Sequence, residues 1–265
     1  MVKQKSILDM AVPVSSMVIS KQTVATIYGP SGTGKTTLAA SACSSPETHG
    51  LLVDMGEQGT ASVIDNKYLD VIKIDNLQQI NKLLIALRQE NKYKTIIFDS
   101  MQTLIQMVVY NVRNIKDFAF VAEKSLKQNE WGQISYYMCN FITEVNNMSK
   151  SSNKNVIYIC DEREAEASGG GPLFVPNLMG SVEKSLVGRS DCVVYTFIKK
   201  EQTGVGDNKI VKNIFCADIG PSPNRVSKIR KPKSIVVDSL IVDPTWDKLM
   251  DIIYNVALKK RVRVN

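Results

Sequence analysis

Gly29-Pro30-Ser31-Gly32-Thr33-Gly34-Lys35-Thr36 follows directly on the apolar run Val24-Ala25-Thr26-Ile27-Tyr28. All four fixed positions of G-x-x-x-x-G-K-[ST], the phosphate-cradling P-loop, are present in the strand-then-helix setting that the motif requires. Glycines let the backbone curl so that successive N–H groups face anionic oxygens. The helix expected from near Gly34 adds the positive end of its dipole. The nucleotide-binding set is therefore Gly29, Pro30, Ser31, Gly32, Thr33, Gly34, Lys35, Thr36 and Thr37. Lys35 reaches the β- and γ-phosphates, and the Thr36 hydroxyl ligates Mg²⁺. No guanine-reading N-K-x-D occurs, so ATP is the expected nucleotide.

At 265 residues the chain suits one large α/β domain. The hydrophobic fraction is 44% and no apolar run approaches the roughly 18 residues of a membrane helix. The N-terminus mixes charges with Pro13, unlike a secretory signal, so a cytoplasmic setting and no membrane are expected. Five scattered cysteines without a C-x-x-C pair argue for a reducing compartment and against zinc. The net charge of +7 is localised: residues 199–265 hold 14 Lys and Arg against 7 Asp and Glu, whereas residues 1–198 hold 19 of each. Such a basic region is the footprint of a polyanion partner or, equally, a solvated face.

Residues 1–22 carry no periodic element and read as a lead-in. Strands are expected at 23–28, 51–54, 71–74 and 94–100, the short apolar type that is buried on both faces of a parallel sheet. Asn76 is placed to cap an amphipathic helix bearing Leu77, Ile80, Leu83, Leu84 and Leu87. The run Ile96-Ile97-Phe98-Asp99 has the Walker B form, its carboxylate set to hold Mg²⁺. A long helix spans 130–148, and a buried strand at 155–160 leads into the polar segment 161–172, read as a Gly-rich moving loop. After a helix at 179–188, strands at 191–198 and 209–217 form an antiparallel hairpin. A final helix lies near 244–257, before the basic tail 259–265. His49, the lone histidine, sits in a loop and is assigned no role.

This order of elements resembles the RecA-like P-loop NTPase core, on Gly29–Thr36, the Leu51–Glu57 strand end, Ile96–Ser100 and Asn155–Glu162. It is most similar to phage-encoded ATPases of single-strand annealing and recombination, whose lysine-x-arginine element is matched by Lys228-Ile229-Arg230. The resemblance implies an α/β RecA-like domain over residues 23–258, with a mostly parallel central sheet flanked by helices and a C-terminal antiparallel hairpin. It implies an ATPase with catalytic residues Lys35, Glu57, Asp99, Lys228 and Arg230, and Mg²⁺ held by Thr36 and Asp99. Glu57 would orient the attacking water, with Asp54 as its competitor; Asp161 or Glu162 stands where a γ-phosphate sensor is expected. Lys228 and Arg230 would serve a neighbour's phosphates, so activity would need a homo-oligomer, either ring or filament.

The implied partner is single-stranded DNA, with a single-strand-binding or replication protein beside it and, if phage-encoded, the host cytoplasm as location. Two loops would meet the DNA. Residues 111–129 offer Arg113, Lys116, Lys124 and Lys127, with Phe118 and Phe120 as stacking faces or core residues. Residues 161–176 offer Phe174 but are acidic. The competing function is an ATP-dependent loader or regulatory switch acting on a protein partner in replication. A small-molecule kinase fits poorly, because its lid needs arginines where 161–172 carries carboxylates.

Overall fold

Every residue of β1 (Val24–Gly29), β2 (Gly50–Asp54) and β4 (Thr95–Asp99) is buried, the signature of strands covered on both faces. The computed structural model describes residues 22–56, 59–115, 126–203, 210–230 and 238–258. Joining those three strands are β3 (Leu69–Lys73), β5 (Asn155–Glu166), β7 (Cys192–Thr203), β8 (Ile210–Asp218) and β10 (Leu240–Val242), in the order β10-β8-β7-β1-β5-β4-β2-β3. Pairing is parallel from β3 through β7 and antiparallel at β7–β8–β10. In the sheet, β5 separates the P-loop strand β1 from the Walker B strand β4.

Side chains alternate across the sheet as the period of two requires. Val24, Tyr28, Phe98, Val156 and Tyr158 face one core, and Ala25, Ile27, Ile97, Ile157 and Ile159 the other. The first core is closed by α2 (Leu77–Gln89), α3 (Met101–Val112), α4 (Gln128–Ser152) and α5 (Gly180–Arg189) through Ile80, Leu104, Phe141 and Val182. The second is closed by α1 (Lys35–Ala40) and α6 (Trp246–Leu258) through Leu38, Trp246 and Leu249. Among the described residues no helix is long and apolar enough to cross a membrane.

Local chemistry sets the element ends. The Asn76 side chain accepts from the Gln79 N–H at 3.1 Å, capping α2 as its position predicts. Helix α4 runs past its expected end at 148 and stops at Asn153, whose φ of 50° is left-handed. Lys154 is then fully buried, with Nζ donating to the carbonyls of Glu90 and Tyr93. Burial pushes its ammonium pKa down, and the two carbonyls tie the start of β5 to the turn before β4.

The segment 161–172 is not a loop. Strand β5 continues to Glu166 and pairs antiparallel with β6 (Pro172–Pro176), the turn between them using Gly170 and Gly171 at positive φ. An acidic run has little strand propensity, and here the ladder to β6 overrides it. Residues 1–21, 116–125 and 259–265 lie outside the described residues, and with them most of the lead-in, Lys116, Phe118, Phe120 and Lys124, and the basic tail.

His49 is structural. Its Nε2 lies 3.1 Å from Asp70 Oδ1, and Asp70 also accepts from Lys92 Nζ and, at 2.9 Å, from the Tyr93 hydroxyl. The hydrogen bonds from Lys92 and His49 hold the Asp70 carboxyl pKa down at about 2, from an ordinary 3.8. The folded value lies below the unfolded one, so the ionised carboxylate stabilises the fold above pH 3.8. That contribution is lost as pH falls through about 2. Thermal melts of the native chain and Asp70→Asn are therefore expected to differ at neutral pH and to converge on acidification. Curves that stay parallel across that window would exclude the assignment.

Candidate nucleotide-binding site

The register of the parallel strands brings the predicted residues to one edge. Gly29 at the end of β1 is opposite Asp161 on β5, and Asp54 at the end of β2 is opposite Asp99 on β4. This is the carboxyl edge of the sheet, where ligands of open α/β folds bind. The loop from Gly29 takes positive φ at Gly29 (152°), Gly32 (76°) and Gly34 (83°), conformations for which glycine is suited. Thr33 pins the loop from inside, its Oγ1 donating to the Pro30 carbonyl at 2.8 Å and lying 2.7 Å from Thr196 Oγ1 of β7.

Lys35 is 11% exposed and uses all three donors of its ammonium: the carbonyls of Gly29 (2.9 Å) and Pro30 (3.0 Å), and Asp161 Oδ1 (3.0 Å). The two carbonyl bonds hold the amine over the loop, while the carboxylate, half exposed, is a partner that arriving phosphate oxygens can replace. Glu162 points to the opposite face of β5, where it accepts from the Tyr195 hydroxyl at 2.8 Å. Burial and this neighbouring carboxylate push the Tyr195 pKa up. Of the two acids at the sensor position, Asp161 is thus the one in contact with the loop. The Gln102 amide reaches the Asp161 carbonyl at 3.4 Å, and Gln102 Oε1 is buried without a partner.

Thr36 Oγ1 donates to Asp99 Oδ2 at 2.8 Å, which brings the two expected Mg²⁺ ligands together. A hydroxyl and a carboxylate are the hard oxygen donors that Mg²⁺ takes, with water and phosphate completing its shell. Gly59 packs against this pair: a Cβ there would stand 3.0 Å from Asp99 Oδ2 and 3.2 Å from Thr36 Oγ1. The donor set and the space left by the missing side chain both fit the ion. Asp54, by contrast, closes a turn, its Oδ1 accepting from the Gly56 N–H at 2.9 Å. Glu57 and Gln58 lie outside the described residues.

Lys228 and Arg230 are not at this edge. The short β9 (Lys228–Ile229) sets Lys228 against Val193, three residues and so about 10 Å upstream of Thr196 on β7. Lys228 Nζ lies 3.4 Å from the Gly188 carbonyl, while Arg230 donates to that carbonyl at 2.8 Å and to Asp191 at 3.3 Å. Both cations thus cap the C-terminus of α5, favourable for the helix dipole, and neither reaches the chain's own phosphate cradle.

Two expected DNA contacts are engaged elsewhere. Phe174 packs beside Tyr195 at 6.2 Å between centroids, and its carbonyl accepts from the Tyr28 hydroxyl at 3.0 Å. Arg113 forms a two-point pair with Glu130 at 3.0 and 2.9 Å, which joins the ends of the 114–127 connection. Lys127 is the cap residue just before α4, and its backbone N–H donates to Glu130 Oε2 at 2.6 Å.

Thr196 and Gly59 escaped the sequence reading, since a threonine in a strand and a glycine in a turn carry no motif. The AAA domain family matches residues 21–236, a span that includes the whole of the site described above. No curated protein matches the chain.

Proposed function

The chain belongs to the AAA domain family of P-loop ATPases, and on that premise we propose that it is an oligomeric, RecA-like ATPase acting on single-stranded DNA in recombination or annealing. The observation that carries the ATPase half is the pairing of Lys35 with Asp161 beside the pairing of Thr36 with Asp99. On ATP binding, the Lys35 ammonium exchanges the Asp161 carboxylate for phosphate oxygens while keeping its two loop carbonyls. The Gly29–Gly34 backbone surrounds the remaining phosphate charge. Thr36 and Asp99 would hold Mg²⁺, which supplies charge neutralisation to the β- and γ-phosphate oxygens. Glu57 orients the attacking water; Asp54, whose Oδ1 accepts from the Gly56 N–H, is the competing base through its other oxygen.

Because Lys228 and Arg230 stand away from their own chain's loop, their part in this reading is across a subunit interface. There, a cation stabilises charge that develops during transfer. The DNA half is supported by the basic final quarter of the sequence. Within it, the β7–β8 pair extends past the nucleotide edge and exposes Lys199, Lys200 and Lys212.

Polarisation of a labelled single-stranded oligonucleotide tests this half. Affinity is expected to rise with ATP and Mg²⁺ and to fall log-linearly with salt. Replacing Lys199, Lys200 and Lys212 by Ala is expected to lower the salt slope by about 2, at roughly 0.7 per phosphate contact. No binding at low salt, with or without nucleotide, overturns the DNA reading in favour of a switch that acts on a protein.

A further inference from the structure

The loop has a direction. Lys35 reaches toward β5 through Asp161, and Thr36 toward β4 through Asp99, so the terminal phosphate and its cation lie on the β5–β4 flank. The sheet order β4-β5-β1-β7-β8 leaves β7 and β8 on the other flank of the loop. A triphosphate laid across the loop with its γ end toward β4 therefore delivers its nucleoside toward the β7–β8 pair.

An aromatic ring waits there. Phe215 of β8 is 41% exposed and is the one exposed phenylalanine among the described residues. Its Cδ1 lies 3.6 Å from where a Cβ on Gly34 would stand, which places the ring beside the start of α1. Ile198 of β7 is its directly paired neighbour and shares its face. The Asp243 N–H donates to the Phe215 carbonyl at 2.8 Å, so the backbone behind the ring is held by the chain after β10. Exposing such a ring costs hydrophobic free energy unless a ligand covers it, and a flat apolar face beside a phosphate cradle matches a nucleobase. The next pair outward on this face is Lys200 and Asn213, both exposed, so polar groups border the ring on its outer side.

We propose that Phe215, backed by Ile198, is the face on which the purine base of the bound nucleoside triphosphate stacks. This rests on the ATP-binding reading above and adds to it the residues that hold the base rather than the phosphates. Base–aromatic stacking removed by an alanine substitution corresponds to about 5- to 150-fold in affinity.

Calorimetry on the full chain with Mg²⁺, using ATP and inorganic tripolyphosphate as probes, tests it. For the native chain both probes bind, ATP the more tightly. Phe215→Ala is expected to weaken ATP about 5- to 150-fold and leave tripolyphosphate affinity unchanged. Phe215→Trp is expected to keep ATP affinity, and its indole emission to respond to ATP but not to tripolyphosphate. Native-like ATP affinity in Phe215→Ala overturns the proposal, and so does an equal loss of both probes, which would mean the loop itself was disturbed. If the native chain binds neither probe, the ATP reading falls and the base seat with it. Failure of the oligonucleotide experiment leaves the base seat standing.

Discussion

Lys35→Ala is expected to reduce ATP turnover by about 10²–10³-fold, the loss typical when one preorganised charge donor is removed from a reacting site. The ammonium is held at 2.9 and 3.0 Å by the Gly29 and Pro30 carbonyls, so it is positioned before the nucleotide arrives and its removal forfeits that preorganisation. What remains is a half-exposed Asp161 carboxylate opposite the incoming phosphates, with no cation between them. The nucleotide-free melting temperature should fall modestly, since Asp161 regains water when the pair is lost while the Gly29 and Pro30 carbonyls lose their donor. The added stability that saturating ATP confers, about 2.7 kcal/mol at a hundredfold excess over Kd, should disappear. Phosphate release and melting with and without ATP check both statements. Turnover within tenfold of the native chain would falsify the role of Lys35. The same variant tests the interface. Mixed with Lys228→Ala subunits, it should regain activity, because one partner then supplies the loop and the other the cation. Absence of recovery removes Lys228 from the neighbour's site.

Gly29→Ala is the second large effect, and it acts on the fold. A Cβ at residue 29 would overlap the Thr196 carbonyl oxygen and stand 2.8 Å from Thr196 Oγ1. Neither can retreat, because β7 is locked in parallel register with β1 from Ala25 to Tyr28. The φ of 152° adds strain for any residue with a side chain. Overpacking and backbone strain together come to about 2–6 kcal/mol, against a total stability of about 5–15 kcal/mol. At about 2–4 °C per kcal/mol for a domain of this size, that lowers Tm by roughly 4–24 °C. Gly32→Ala is the matched control: its φ is also positive, but nothing lies within 4 Å of the added carbon. It should cost only about 1 kcal/mol. Two glycines of one loop that melt alike after substitution would show that the approach of β7 is not what demands Gly29.

Much of the site was legible because its rules are local. The P-loop is set by residues within eight positions, and the strands ending at Asp54 and Asp99 are short apolar runs bounded by turn residues. Asn76 caps α2 through a bond spanning three residues. The expected parallel sheet, flanking helices and terminal hairpin are all present. Less local features were not legible. Strand propensity gives no reason for Asp161–Glu166 to be extended, and the ladder to β6 supplies it. The three residues of β10 are too few to show a period, and they form on β8. Phe174, an attractive stacking face in the sequence, is drawn inward by Tyr195 and Tyr28.

By itself, then, the sequence determined that a phosphate cradle sits between a buried strand and a helix, with two carboxylate-ended strands to follow, because these depend on neighbours along the chain. The tertiary structure alone decided which acid meets Lys35, why residue 29 must lack a side chain, and which flank of the loop carries Phe215. Each of these depends on strand register. A parallel sheet aligns residues from strands far apart in sequence, and a shift of one residue exchanges the faces of every side chain. Asp161 and Glu162 are adjacent in sequence and equal in charge. Only the pairing of Gly29 with Asp161 turns one toward Lys35 and the other toward Tyr195.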